Sequence, residues 1–361
     1  MPPSVKGVMR FDDPLRLYRG GQLDELHIAY ETWGTLSPGK DNAILILPGL
    51  SPTAHARSSV HDPSRGWWEE MIGPGAPINT DTHYVICLNN LGSCFGSTGP
   101  ASRKPGHTVA YGPDFPELSI EDLASAGHGL VRRLGIDRLH TLVGPSMGGL
   151  SALAYIAQYP AGTRRLLIIS SAARPEARAI AIHSLQREAI LNDPHWNGGR
   201  YTDTHYPVQG MRLARKIGMT SYRAANEWED RFGGEKLSEA PTTPFGTEFQ
   251  VESYLAAAAE KFVRRFDPNA YLYLSRAMDW FDVAEHGGTL VGTLQNARLD
   301  GVCVIGVTTD TLFPLRQQAQ LADAFEAAGH TTRYAVLESF QGHDAFLVDM
   351  DGFGPIIRDF I

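Results

Sequence analysis

Six short apolar runs, each closed by a turn signal, limit what this chain can become. They are NAILILPGL (42–50), HYVICLNNLG (83–92), LHTLVGPS (139–146), RRLLIISSAA (164–173), VCVIGVTTD (302–310) and TRYAVLES (332–339). Continuous apolar runs of this length are the signature of strands buried on both faces. Helical patterns such as IEDLASAGHGLVRRLG (120–135) and LRQQAQLADAFEAAG (315–329) alternate with them. Strands alternating with helices imply an α/β fold: a mostly parallel sheet, flanked by helices, with right-handed crossovers. LDELHIAYETWGTL (23–36) reads as an antiparallel strand leading into that sheet.

From about residue 174 to 290 the rhythm breaks. SLQREAILNDP, YPVQGMRLARKIGM, SYRAANEWEDRFG, VESYLAAAAEKFVRRFD and NAYLYLSRAMDWFDVAEHG are helical in period, with no comparable strand among them. So long an insertion exceeds an ordinary loop and reads as a lid over the carboxyl ends of the strands, where such sheets bind ligands. The expected organisation is a core of residues 1–173 and 291–361 with a helical lid of 174–290, in which PTTPFGTEF (241–249) is the most loop-like piece.

Composition excludes several classes of function. The net charge is −8 and no block of five basic residues occurs, so nucleic acid is not an expected partner. The N-terminus lacks the apolar core of a signal peptide, and no stretch approaches the roughly 20 apolar residues of a membrane span, so a soluble cytoplasmic protein is expected. Cys87, Cys94 and Cys303 are odd in number and lack metal-type spacing. Buried or incidental thiols are expected, with no disulfide framework and no metal site.

Chemistry enters at Gly144-Pro145-Ser146-Met147-Gly148. A bare pentapeptide of this kind is more often a chance turn, but this one follows the strand LHTLV and precedes the helix GGLSALAYIAQYP, the setting of a nucleophile elbow. Ser146 then stands at a helix N-terminus with its Oγ exposed and the Met147 N–H available to an oxyanion. In an α/β-hydrolase arrangement an acid and a histidine must follow in that order. Asp310 lies just past the strand VCVIGV, and its competing reading is a helix N-cap ahead of LRQQAQLADAF. His343, in QGHDAF after the last strand, is the one of 13 histidines that combines the right order with the right placement. Neutral His343 would take the Ser146 proton, Asp310 would hold the imidazole tautomer, and Ser146 would attack a carbonyl. The N–H of Leu50, in Pro48-Gly49-Leu50-Ser51, is the second oxyanion donor; the competing reading of that loop is an ordinary turn.

Long strings then bring a resemblance. GWWEEMIGPGAPINTDTHYVICLNNLGSCFGSTGPAS, YGPDFPELSIED, VGPSMGGLSAL, LQREAILNDPHWNGG, FQVESYLAAAAEKFVRRFDPNAYLYLSRAMDWFD and QGHDAFLVD resemble the homoserine O-acetyltransferase family, over nearly the whole chain. The resemblance implies an α/β-hydrolase fold with a helical lid, a homodimer formed through that lid, and ping-pong acyl transfer. Acetyl-CoA or succinyl-CoA would be the co-substrate, with no permanently bound cofactor and no metal. It places Ser146, Asp310 and His343 on the family's triad, Arg215 on its binder of the amino-acid carboxylate, and Asp344 on its binder of the ammonium. Without the resemblance, Arg215 would pass as a solvated charge beside Arg212 and Lys216.

The stretch Gly49-Leu50-Ser51-Pro52-Thr53-Ala54-His55, with LGSC, SLQREAI, ARKIG and TDTLFP, is similar to the branch that acylates L-serine. Pro52, Thr53, Ala54 and His55 are therefore expected to bear on specificity. Serine is one methylene shorter than homoserine, a difference worth only about 1–3 kcal/mol in a pocket, which implies relaxed use of both. In that branch an arginine often stands where this chain has His183, and a basic residue where it has Phe95. The loss of two cations tilts the expected donor slightly toward acetyl-CoA, although Arg187 remains as a cation; His183 is thus expected to bear on specificity too, though taken alone it would read as a helix-face residue. Two other functions share the motif. A serine hydrolase of the same fold would pass the acyl group to water, and a silent binding protein would have no need of all five residues.

Overall fold

The computed structural model describes all 361 residues. Eight strands form one sheet: β1 (Ser4–Phe11), β2 (Leu26–Trp33), β3 (Ala43–Ile46), β4 (Tyr84–Leu88), β5 (Leu139–Pro145), β6 (Thr163–Ile169), β7 (Gly301–Val307) and β8 (Thr332–Leu337). Their spatial order is β1-β2-β4-β3-β5-β6-β7-β8. β1 and β2 run antiparallel to their neighbours, and the remaining six strands pair in parallel. This is the α/β-hydrolase fold that the resemblance implied, with the mostly parallel sheet that the alternating runs implied.

Alternation along the strands divides the core in two. Leu45, Leu142, Val302 and Val304 face a cluster built with α1 (Ile120–Arg133), α2 (Met147–Gln158) and α8 (Leu315–Ala327). Ile44, Ile46, Val143, Cys303 and Ile305 face the other side, under Trp33, Trp68 and α9 (Met350–Phe360). Each central strand is thus apolar on both faces, which explains the unbroken runs in its sequence.

Two expectations fail at the sheet's edges. β1, SVKGVMRF, was not expected, because a strand with one solvated face carries no continuous apolar run. β8 was expected to be buried on both faces. It is the opposite edge strand, and none of its residues is fully buried, Val336 being 45 % exposed. The apolar runs also overshoot the ladders: β3 ends at Ile46 rather than Leu50, and β7 at Val307 rather than Asp310. The overshoot is loop, and those loops carry the site.

Between β6 and β7 lie α3 (Ala177–Leu191), α4 (Val208–Tyr222), α5 (Ala225–Phe232), α6 (Gln250–Phe262) and α7 (Pro268–Trp280), and none of the insertion joins the sheet. α4 packs between α3 and α6, and α3 against α7. The end of α4 presses on the loop after β8: a Cβ added at Gly342, whose φ is +65°, would lie 2.6 Å from the Tyr222 carbonyl oxygen. No helix is long and apolar enough to cross a membrane.

The tightest joint in the fold is where α2 meets β3. A Cβ at Gly148 would lie 1.8 Å from the Leu47 carbonyl oxygen, and one at Gly144 would lie 2.3 Å from that of Gly148. Backbone cannot yield there as a side-chain tip would. Gly148→Ala is therefore expected to cost at least ~2 kcal/mol in urea unfolding. Gly234→Ala, where nothing lies within 4 Å, is expected to stay within about 0.5 kcal/mol. Equal midpoints for the two variants would contradict the packing account.

Candidate active site

Ser146 sits between β5 and α2 with φ 56° and ψ −126°, a conformation that side chains rarely adopt. The strain therefore falls on the serine, while the glycines around it serve close approach rather than positive φ. Gly149 makes the third such contact, since a Cβ there would meet the Ser171 side chain at 2.4 Å. The serine N–H is tied to the Ile169 carbonyl at 2.9 Å, and its hydroxyl makes no capping bond to the helix it begins. The Oγ points instead at His343, 2.8 Å from Nε2.

His343 Nδ1 lies 2.8 Å from Asp310 Oδ2. The other Asp310 oxygen accepts from the Leu312 and Phe313 N–H groups, both at 2.9 Å. Asp310 thus caps its own turn and orients the imidazole at once; α8 begins later, after Pro314. Thr309 fastens the two loops together, its hydroxyl donating to the Ser339 carbonyl and accepting from the Gly342 N–H. Burial alone would push the His343 pKa down. The charge and hydrogen bond of Asp310, with Asp344 nearby, override it and leave the pKa above the usual histidine value.

The loop after β3 brings Gly49 to the serine, so that a Cβ there would stand 3.8 Å from that of Ser146. Asn90 Nδ2 donates to the Gly49 carbonyl at 2.9 Å. Because the peptide is planar and trans, this turns the Leu50 N–H the opposite way, and that N–H makes no hydrogen bond within the chain. Leu50 and Met147 thus both stand beside the serine. Asn90 was not singled out from sequence; its signal was the pair Asn89-Asn90 at the carboxyl end of a buried strand, where such folds place functional loops.

A chamber of about 100 Å³ opens over Ser146 and His343, its wall including Leu50, Arg215, Asp344 and His183. A vestibule of about 360 Å³, with Trp67, Phe95 and Arg223 in its wall, lies outside. Ser51, Pro52, Arg215, Phe262, Asp344 and Leu347 border both, so the two spaces are continuous. Arg215 stacks over the Phe262 ring at 4.8 Å, and its buried Nε has no partner. A guanidinium so placed calls for an anion. Burial pushes the Asp344 pKa up, opposed by His343, Arg223 and Arg215.

His183 reaches the chamber, with Nδ1 2.7 Å from Asp279 and Nε2 free of protein partners. Arg187 is already committed to the same carboxylate at 2.6 Å. Phe95 packs edge-on against Phe266 in the vestibule wall. Of the five residues expected to bear on specificity, His183 borders the chamber, and of the four in the loop after β3 only Pro52 does so. The chain turns away after it: the Ala54 N–H is held by Asn89, the Thr53 carbonyl accepts from Trp67 Nε1, and the His55 ring bridges Glu31 and the Ser64 carbonyl. These three anchor the loop from behind rather than touching what enters the chamber.

Glu31, His55 and Asp62 group three ligand atoms within 4.8 Å, but Lys6 pairs with both carboxylates, and hydrogen bonds occupy both ring nitrogens. Burial pushes the thiol pKa values up, to about 11 for Cys94 and about 12 for Cys303, and well above the ordinary value for Cys87; all three cysteines are free.

A model described as the α/β hydrolase fold matches residues 42–350, so the chain is an α/β-hydrolase-fold protein. The chain is 51% identical over 362 residues to a serine O-succinyltransferase of Litchfieldella anticariensis, with 99% of each covered. It is 54% identical over 364 residues to one of Stenotrophomonas maltophilia, covering 100% of this chain and 98% of that one. Among solved structures it superposes on a homoserine O-acetyltransferase from Bacillus anthracis with a TM-score of 0.92 at 27% identity, covering 100% and 98% of the two chains. Esterase E22 follows with a TM-score of 0.90 at 26% identity, covering 99% of this chain and all of that one. The chain belongs to the homoserine O-acetyltransferase family of acyltransferases, in the branch of the serine enzymes.

The site's charge state generates a pH test. A fluorophosphonate probe is expected to label Ser146, and labelling needs His343 neutral. A raised pKa means the neutral form is lost early as pH falls, so the rate should drop through a limb lying above pH 6.5. Asp310→Asn should move that limb down and slow labelling by about 10³-fold or more. Intact-mass time courses give both, and a rate unchanged from about pH 8 to about pH 5 would contradict the geometry.

Proposed function

We propose that this protein moves an acyl group from acyl-CoA to the side-chain hydroxyl of L-serine, through an ester on Ser146. The observation that carries the reading is the opposed pair Arg215 and Asp344 bordering the same chamber as Ser146 and His343. A zwitterionic acceptor needs one fixed cation and one fixed anion, and a guanidinium fork matches a carboxylate in shape. Substrates that lack both charges have no use for the pair.

In the first half-reaction Ser146 Oγ attacks the thioester carbonyl while His343 Nε2 takes its proton. The Leu50 and Met147 N–H groups meet the oxyanion, and each such donor is worth about 3–4 kcal/mol at the transition state. The CoA thiolate leaves with the proton from His343. The L-serine hydroxyl then attacks the ester, His343 takes that proton and returns one to Ser146 Oγ, and O-acyl-L-serine departs. The helical insertion acts as the lid that narrows the chamber against water. Exposed Leu185 and Leu213, which border one groove between α3 and α4, give it a face on which to form the homodimer.

For the donor we infer succinyl-CoA, in place of the acetyl-CoA that the lost cations had suggested. Both relatives described above carry the name serine O-succinyltransferase, and one candidate cation stands in the chamber itself. With Nδ1 donating to Asp279, His183 can offer a protonated Nε2 to the far carboxylate of a succinyl group. The hydrolase reading is favoured by the likeness to esterase E22 and predicts CoA release with water alone.

Free CoA is to be measured with succinyl-CoA or acetyl-CoA against L-serine, L-homoserine and buffer. Release should depend on an amino acid, and Ser146→Ala should abolish both release and the acyl adduct seen by intact mass. Equal release in buffer would establish a hydrolase, and an equal adduct on the alanine variant would remove Ser146. Succinyl-CoA should exceed acetyl-CoA by at least ~10-fold in kcat/KM, about 1.4 kcal/mol. His183→Ala should erase most of that ratio by raising KM for succinyl-CoA alone; the opposite native preference would return the donor to acetyl-CoA.

A further inference from the structure

Asp344 faces a physical difficulty that its neighbours must solve. It is a partly buried carboxylate, and burial favours its neutral form, in which it cannot hold an ammonium. The ionisable groups facing it differ in what they can contribute. His343 is cationic only during part of each turnover, and Asp310, behind it, is of the wrong sign. Arg215 is cationic throughout, but in the reading above its charge is met by the acceptor's own carboxylate. Lys261 and Arg265 border the vestibule and His183, Tyr222 and Tyr271 the inner chamber, without a hydrogen bond or ion pair to Asp344.

Arg223 is different. It stands at the C-cap of α4, and its Nε lies 3.4 Å from Asp344 Oδ2. Its Nη1 donates to Glu227 Oε1 at 2.8 Å and to Gln341 Oε1 at 2.9 Å. Glu227 belongs to α5, and Gln341 opens the turn that carries His343 and Asp344. The guanidinium is therefore fixed from two sides and cannot swing out to solvent as a surface arginine does.

We propose that Arg223 is a positioning residue for the amino-acid acceptor: its Nε pairs with one oxygen of Asp344 and leaves the other oxygen turned to the ammonium. The proposal rests on the acceptor role of Asp344 proposed above. Arg223 borders the vestibule and not the chamber that holds Ser146, so its influence is expected in the second half-reaction.

The test uses Arg223→Gln and Arg223→Lys beside the native protein, with the acyl-enzyme burst and the L-serine dependence measured on the same preparations. In Arg223→Gln the burst should stay within about twofold of native, while KM for L-serine rises ~10-fold. Loss of the cation raises the Asp344 pKa, so the carboxylate form is lost earlier as pH falls. The acid side of kcat/KM for L-serine, set in the native protein by His343, should then steepen toward the loss of two groups rather than one. Arg223→Lys keeps the charge without the fork and should recover most of both changes. An unchanged KM and acid side in Arg223→Gln would overturn the proposal. So would a burst lost together with the acceptor kinetics and not restored by lysine, which would make Arg223 a prop of the fold. A native protein with no L-serine-dependent release of CoA would instead defeat the function reading, before any variant is compared.

Discussion

The strand-to-helix turn at Ser146 is the constraint on which the rest of this molecule depends. A non-glycine residue with φ 56° is costly, by about 1–3 kcal/mol, and persists only where its surroundings over-determine it. Here they do. The serine N–H is bonded to the end of β6, Gly148 lets α2 lie against the backbone after β3, and Gly149 lets it lie against Ser171. The strain aims one hydroxyl at His343 and leaves the first amides of α2 facing the same point. The loops after β3, β7 and β8 need only converge there, and all three leave the same end of a parallel sheet.

Charge is arranged around that point with some economy. Asp310 serves His343 from one side, and Asp344 adds a second negative charge next to it in sequence. Arg215 and Arg223 balance them, one bordering the chamber with a buried nitrogen left unpartnered and one fixed by Glu227 and Gln341. A site built only to cleave neutral esters would have no need of two arginines and a second aspartate around the chamber and its vestibule, since each such group is costly to desolvate unless it is paired.

Much of this was legible in the sequence because its signals are local. Buried central strands announce themselves as apolar runs, and Ser146 is marked by its glycines and by the elements on either side. Asp310 and His343 could be chosen because chain order and strand ends narrow the field. The edge strands β1 and β8 were misjudged or missed, since a half-solvated strand carries a weaker pattern. Arg223 and Asp279 were out of reach for a different reason: each meets a partner distant in sequence, Asp344 and His183 respectively, whereas Asn90 left a signal in the Asn89-Asn90 pair that did not name its partner Gly49. Thr53, Ala54 and His55 show the converse, because a string that marks a branch of a family need not touch what that branch binds.

The central claim is that the acyl group rests on Ser146 between the two substrates. Isotope exchange tests it most directly: native protein is incubated with succinyl-CoA and labelled free CoA, in the absence of any amino acid. A reversible acyl-enzyme must carry label into succinyl-CoA, and Ser146→Ala must abolish that exchange. Exchange that appears only when L-serine is added would mean direct transfer within a ternary complex, and would contradict the account.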